Sequence, residues 1–497
     1  MSGSSRSLPT LLALAVLLAG CAVNSPPERA EIQTQTGTLD ELGLDQPWRA
    51  GGGTAGEVEA AWLASFGDAQ LDALAAEAVA SNPDLRVAAV KVEQAAAYVR
   101  MAQAQLRPQI NLFGTGGLNA SGGDLTSALQ GAMLSVSWEI DIWGRLRYAR
   151  NAAQEVEASV AADYAFARQS IAANVARTWF SATLAGLQQR QTEAMAAANA
   201  ELVRLAELRR KVGAGDEQEV VLARAQQISL EDSVERLRLA RTQTLRGLEL
   251  LLGRYPSAEL AARADLPELP GPVPVGIPLE ILERRPDMIA AERRVAAAFD
   301  RVGEAKAARL PKIALNASVS TLSSDVLELK PDFENPSGGL GAKLLAPLYA
   351  GGALKTQVEI RTLEQKEALA DYARMALRAI GDVEQALAAA QNLADRAVLL
   401  ERAVTENQRA LELANDQYRV GQGDLRAVRQ QELSLESSRL ALLAVRSAQL
   451  AERVNLHLAL GGSFDAPPEE APPAEASSGE APAGEAPPAG TAPAEPG

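Results

Sequence analysis

The sequence predicts a mainly α chain with a small β part, built as an internal tandem duplication of long antiparallel helices and four strands. Three observations carry this. From Arg145 to Lys211 nothing interrupts a helical pattern except the lone Gly186, and residues 351–419 make a second run of similar length. Ahead of the first run, Ser135–Arg145 alternates: Val136, Trp138, Ile140 and Ile142 fall on one face of a strand, and Ser135, Ser137, Glu139 and Asp141 on the other. The motifs also recur in order. Asn82-Pro83-Asp84-Leu85 returns as Arg285-Pro286-Asp287-Met288 and Pro108 as Pro311, both 203 residues on. Lys211–Asp216 returns as Arg419–Asp424 and Leu252-Gly253 as Leu460-Gly461, 208 residues on.

Composition narrows the function classes. Aromatic residues are only 4% of the chain, and Ala, Leu, Arg, Glu and Gln dominate its middle, as in long helices in close side-by-side contact. A net charge of −15 argues against nucleic acid as a partner, although part of the excess is local: Ser463–Gly497 carries seven acidic residues and no basic one. The single cysteine, Cys21, leaves no disulfide framework and no thiolate metal site. The single histidine, His457, lies in a Leu-rich helical run and is read as structural. No metal, cofactor or nucleophilic catalytic arrangement is expected.

Residues 1–20 pair one early positive charge, Arg6, with an apolar run from Leu8 to Ala19 that is too short to span a bilayer, and small residues precede Cys21. That pattern resembles a bacterial lipoprotein signal, which implies cleavage before Cys21 and its acylation; Ala22 fits transfer to the outer membrane. Residues 21–57 are polar and rich in Gly and Pro, a strap from lipid to body. Within it, Gly51-Gly52-Gly53-Thr54 lacks the Gly-Lys-Ser/Thr of a phosphate loop and reads as linker. The first repeat is 58–255. It opens with helical patterns over Val58–Ala80 and Pro83–Leu106, the latter with Asn82 as N-cap and Pro at its first position. Pro108 ends that helix; a strand over Gln109–Leu118, a Gly/Ser/Asn turn and the Ser135 strand follow. Then come the long helix, a tight turn and a return helix, Glu217–Leu252. Residues 256–278 are a Pro-rich connector, 279–462 the second repeat, and 463–497 a Pro/Ala/Glu tail whose composition predicts disorder.

Helix lengths predict the packing. At the rise of an α-helix Arg145–Lys211 spans about 100 Å. The return helix covers about half of that and Pro83–Arg107 most of the rest, so each repeat is one long helix beside two shorter ones stacked end to end. Gly213 and Gly421 are placed to end the long helices, and Asp216 with Glu219 forms a capping box for the return helix. Four strands cannot close a barrel. Yet an apolar strand face with aromatics such as Phe113, Trp138 and Trp143 suits lipid, so the missing strands must come from other copies.

With these residues in view, the chain resembles the outer-membrane efflux factors, the TolC-like channels, and within them the lipoprotein branch serving tripartite RND-type pumps. The resemblance spans about residues 58–462 and rests on Trp62–Leu71, Ser81–Leu85, Trp138–Arg145 and Arg284–Glu292, followed by Gly303 and Pro311. It implies a homotrimer in outer-membrane lipid, with a twelve-stranded transmembrane barrel and a twelve-helix periplasmic tunnel. Such a channel passively conducts what an inner-membrane transporter delivers through a periplasmic membrane-fusion adaptor, with no enzyme activity. By the same resemblance Glu139 and Asp141 line the pore. The adaptor meets the tips: Val212, Gly213, Ala214, Gly215 and Asp216 in the first repeat, and Val420, Gly421, Gln422, Gly423 and Asp424 in the second. Tyr418 matches the family's gating tyrosine, and Arg426, Gln430 and Leu433 belong to the periplasmic aperture. Relatives place an aspartate and then an arginine where this chain has Gln430 and Leu433. A carboxylate ring at the mouth is therefore moved or lost, with Asp424, Arg426, Arg429 and Glu432 as the nearby charges.

Other readings compete. Glu139 and Asp141, about 7 Å apart along a strand, match in spacing the carboxylates of an inverting glycosidase, but they point the same way instead of flanking a substrate. A lipid-anchored periplasmic coiled-coil protein would share the helical hairpins without a barrel. The outer channel of a type I protein-secretion system would share the architecture and differ in cargo.

Overall fold

The computed structural model describes residues 23–37, 42–51, 56, 60–116, 118–121, 124–127, 130–323, 336–420 and 422–464. Cys21, Gly421, the signal segment and the acidic tail from residue 465 lie outside the described residues. A short helix α1 (Arg29–Thr36) precedes a 3-10 turn (Trp62–Phe66), α2 (Ala69–Ser81) and α3 (Pro83–Ala104). Strands β1 (Gln109–Thr115), β2 (Leu118–Ser121), β3 (Asp124–Ser127) and β4 (Gln130–Ile140) lead into α4 (Arg145–Lys211) and α5 (Glu217–Leu251). The second half runs α6 (Pro278–Arg284), α7 (Pro286–Ala307), β5 (Lys312–Ser323), β6 (Ser337–Leu345), α8 (Ala353–Arg419) and α9 (Leu425–Ala459). Helices α4 and α8 each have 67 residues, α5 and α9 each 35, and α3 and α7 each 22.

The stacking inferred from helix length is built at two joints. In the first half Asn82 caps α3, accepting from the N–H groups of Asp84 and Leu85 at 2.9 and 3.2 Å, while its Nδ2 donates at 2.9 Å to the Leu251 carbonyl at the end of α5. The neighbouring Ser81 Oγ donates to Leu252 O at 2.7 Å, so orphan carbonyls of one helix are satisfied by the cap of the next. In the second half Arg285 takes the place of Asn82. Its guanidinium reaches Ala459 O at 3.1 Å and pairs with Asp287 and Asp382 at 2.8 and 3.4 Å. Arg285 is buried, and those partners compensate the charge.

Two apolar cores hold this level of the molecule. One gathers Trp62, Phe66, Leu71, Trp179, Phe180, Leu248 and Val454; the other gathers Ile32, Trp48, Ile281, Met288, Tyr372 and Leu460. Full burial of a side chain such as Leu71 or Phe180 contributes about 1.5–3 kcal/mol. His457 is buried in the first core, stacked on Trp62 with ring centroids 5.5 Å apart and planes 13° apart. The helix expected over Val58–Ala80 is split here. Asp68 serves as the N-cap of α2, accepting from Gln70 and Leu71 N–H groups at 3.1 and 3.2 Å, and also from Trp179 Nε1 at 2.9 Å. A cap residue has non-helical dihedrals, so one helix cannot run through it.

The described part of the strap, residues 23–37 and 42–51, is more ordered than its polar composition suggests. Ile32 and Trp48 are buried in the second core, Trp48 Nε1 donates to Val275 O at 3.2 Å, and the Arg49 and Ala50 N–H groups donate to the Glu384 carboxylate at 2.8 and 2.7 Å. Two apolar anchors outweigh the surrounding Gly and Pro.

The four-stranded sheet has the order β1-β4-β5-β6, antiparallel throughout, and β2 and β3 form a separate hairpin. The strand expected to reach Leu118 stops at Thr115, and β4 stops at Ile140 instead of Ile142. No described helix is long and apolar enough to cross a membrane.

Candidate functional site

Cross-strand register carries one apolar face across the whole sheet. Leu112 pairs with Leu134 and Leu134 with Val319; Trp138 pairs with Leu315 and Leu315 with Ala342; Ile140 pairs with Ile313 and Ile313 with Leu344. This face is uncovered in the protomer: Leu112 is 75% exposed and Leu340 91%. A continuous exposed apolar surface of this kind fits contact with lipid. The opposite face carries Asn111, Ser135, Ser137, Glu139, Asn316, Ser318 and Lys343. Phe113 lies on this polar face, paired with Met133, and not among the lipid-facing aromatics as expected. Strands β1 and β6 are the two edges, each with one side unpaired among the described residues. Unpaired edges of a membrane sheet must be closed by other strands.

Where the sheet meets the helices, two indoles act as struts. Trp138 Nε1 donates to Leu106 O at 2.9 Å and Trp143 Nε1 to Pro311 O at 2.8 Å. Glu139 accepts from Arg145 Nε and Nη2 at 3.1 and 2.9 Å. Asp141 lies past the end of β4 and accepts from the N–H groups of Leu146 and Arg147 at 3.1 and 3.0 Å, and from Arg147 Nε at 3.2 Å. Both carboxylates thus serve the N-terminus of α4, where unpaired N–H groups and the helix dipole favour negative charge, and two arginines offset their charge. Gly144, at φ +77°, makes the turn; a Cβ there would lie 2.8 Å from Val23 Cγ2. Nearby, Gly303 of α7 lets the Tyr148 ring lie against the helix, since a Cβ would come within 2.5 Å of a ring carbon. The Tyr148 hydroxyl accepts from Asn24 N at 3.0 Å, so the strap is seated against the root of α4.

At the other end of the long helices the two hairpin turns are built alike. Val212 and Val420 close α4 and α8, and Asp216 and Asp424 cap α5 and α9, accepting from Glu219 N at 2.8 Å and Arg426 N at 3.1 Å. Gly423 lies so close that a Cβ would be 2.9 Å from Tyr418 N. Contacts between the hairpins converge just inside the tips. The Arg209 guanidinium stands over the Tyr418 ring at 5.4 Å from its centroid and donates to the Tyr418 hydroxyl. Arg426 Nη2 donates to Gln218 Oε1 at 3.0 Å, Arg429 Nη1 donates to Asn199 Oδ1 at 2.5 Å, and Gln191 donates to Glu436. Arg429 and Glu432 are ion-paired at 3.6 Å, but burial dominates both: it lowers Arg429 and raises Glu432 from their ordinary values.

Behind these contacts lies a cavity of about 600 Å³ between the hairpins. Its walls include Met195, Leu222 and Leu230 from the first hairpin and Gln430, Leu433 and Leu435 from the second. Of the residues expected at the aperture, Tyr418 and Arg426 bridge the hairpins, and Gln430 and Leu433 line the space between them. Arg209 and Asn199 were not foreseeable by resemblance. A signal existed in the repeat itself, since the 208-residue offset sets Arg210, next to Arg209, at the position of Tyr418.

The chain matches the family described as outer membrane efflux protein over residues 74–254 and 277–462. It is 30% identical over 479 residues to the pyoverdine export outer membrane protein OpmQ of Pseudomonas aeruginosa, covering 92% of this chain and 97% of that protein. It is 28% identical over 472 residues to the cation efflux system protein CusC of Escherichia coli, covering 92% and 99%. A crystal structure of CusC superposes with a TM-score of 0.75 at 26% identity, covering 84% of this chain and 97% of that one. Sheet, helical hairpins and both matched segments agree: the chain belongs to the outer membrane efflux protein family.

Proposed function

We propose that three copies of this chain form a passive outer-membrane conduit of a tripartite efflux pump. The observation that carries this is the open sheet with one exposed apolar face and two free edges, which three protomers would close into a twelve-stranded barrel. The long hairpins would extend into the periplasm, with Val212–Asp216 and Val420–Asp424 meeting a membrane-fusion adaptor of an RND-type transporter. Tyr418 with Arg209, and Arg426 with Gln218, would hold the aperture narrow, and Gln430 and Leu433 would set its lining. Relatives are named for export of pyoverdine, of cations and of toluene, so the cargo here is a small molecule or ion delivered by the transporter. Cys21 would be acylated. The seating of Val23 and Asn24 at Gly144 and Tyr148 supports this, because it brings the chain to the barrel–tunnel junction two residues after the cysteine.

Purified protein reconstituted into planar bilayers should form ion-conducting trimers, and a deletion strain should become sensitive to at least one class among antibiotics, detergents and metal salts. Protein that inserts but never conducts would overturn the channel reading.

A further inference from the structure

Asp300 is a buried acid that conduction leaves without a role. It lies on α7, which packs along α4; it has no solvent exposure, and among the described residues neither carboxylate oxygen has a hydrogen-bond partner. One turn back on the same helix face, Ala297 and Ala296 are small and buried as well. An ionised carboxylate without donors is strongly disfavoured in such a seam. Burial, and then the nearby Glu155 carboxylate, push Asp300 up to about 7 against the opposing pull of Arg150.

The charges acting on Asp300 come from α4. Glu155 is itself paired with Arg293 of α7 at 3.3 Å, and Arg294 of α7 with Asp163 of α4. Arg150 is turned aside, donating from Nε and Nη2 to Asn151 Oδ1 at 3.1 and 2.6 Å. From α6 and α8, which also pack on α7, no charged group acts on Asp300.

We propose that Asp300 is carried as the neutral acid and that its ionisation is a proton-controlled switch in the α4–α7 seam. On ionisation its proton passes to bulk water, and the new carboxylate draws the Arg150 guanidinium away from Asn151. The same seam holds Tyr148 against Gly303, and α7 leads directly into β5, so the switch sits where barrel, tunnel and strap meet. Between the ordinary carboxylate range and about 7 the folded chain keeps a proton that the unfolded chain has released. Stability therefore falls as pH rises through that window and levels off above it.

The test uses the full-length assembled protein in detergent, following thermal loss of helical circular dichroism from about pH 5 to about pH 8. Against Asp300→Asn, which keeps the shape without the titration, the wild type should lose several degrees of melting temperature across this range. Parallel curves would overturn the proposal. Arg150→Gln removes the incoming partner and should deepen the loss at the alkaline end; an unchanged curve would refute the swing of Arg150. If Asp300→Asn does not fold, the wild-type infrared carbonyl band of a protonated carboxylic acid decides. It should be present at about pH 6 and lost by about pH 8, and its absence at the lower pH contradicts the proposal.

Discussion

Two side chains at the tips, Arg209 and Tyr418, join the hairpins through both a ring-face contact and a hydrogen bond. A guanidinium over an aromatic ring contributes about 0.5–2 kcal/mol and a charge-assisted hydrogen bond about 1.5–3 kcal/mol. Since about 1.4 kcal/mol is tenfold in an equilibrium, removing the contact should raise the open population by at least that factor. Tyr418→Phe keeps the ring contact, whereas Arg209→Ala loses both components, so conductance in planar bilayers should rise in the order wild type, Tyr418→Phe, Arg209→Ala. Equal conductance in all three would remove this pair from the gate. His457 illustrates the opposite kind of residue, one held for packing. Burial, with Arg453 adding to it, lowers His457 to about 4. The unfolded chain protonates first on acidification, so the contribution is complete above about pH 6.5 and is lost as pH falls toward 4, a change of order 3 kcal/mol. His457→Phe should keep the stack on Trp62 and flatten the acid limb of the thermal stability curve; an unaltered limb would place the titration elsewhere.

Among the elements, the long helices were the most legible in sequence. α4 begins and ends at the predicted residues, Arg145 and Lys211, because a glycine turn and charged final turn punctuate an uninterrupted pattern. The stacking of short on long helices also followed from length alone. What sequence could not show were features decided by tertiary partners. Asp68 breaks the first helix because it serves Trp179, 111 residues away, and Trp48 folds the strap onto a core that local composition does not reveal. Asp141 leaves the strand because a helix N-terminus competes for it. The α4–α7 contact belongs to the same class: Gly303 is needed because Tyr148 occupies its Cβ position. Gly303→Ala should therefore destabilise by about 1–3 kcal/mol through overpacking. Tyr148→Ala in the same chain should recover part of that loss. A double variant no more stable than Gly303→Ala alone would mean that the ring is not the obstacle.

At the scale of the whole molecule, the strand period converts one residue of sequence into opposite sides of a membrane sheet. Leu134 and Ser135 are adjacent on β4, yet Leu134 pairs with Leu112 and Val319 on the apolar face while Ser135 pairs with Asn111 and Ser318 on the polar one. In a closed trimer Leu134 faces lipid and Ser135 faces the lumen. An arginine on the lipid face near the bilayer midplane costs about 2–4 kcal/mol, and the symmetry of a trimer repeats that cost in every protomer. Leu134→Arg should therefore deplete assembled trimer from outer-membrane fractions, read as the heat-modifiable species on semi-native gels. Ser135→Arg should assemble normally and shift ion selectivity toward anions, because in such a trimer the charge enters the barrel interior, and Glu139 on the same strand face is already paired with Arg145. Should Ser135→Arg block assembly while Leu134→Arg is tolerated, the sheet faces the other way and the barrel assignment fails with it.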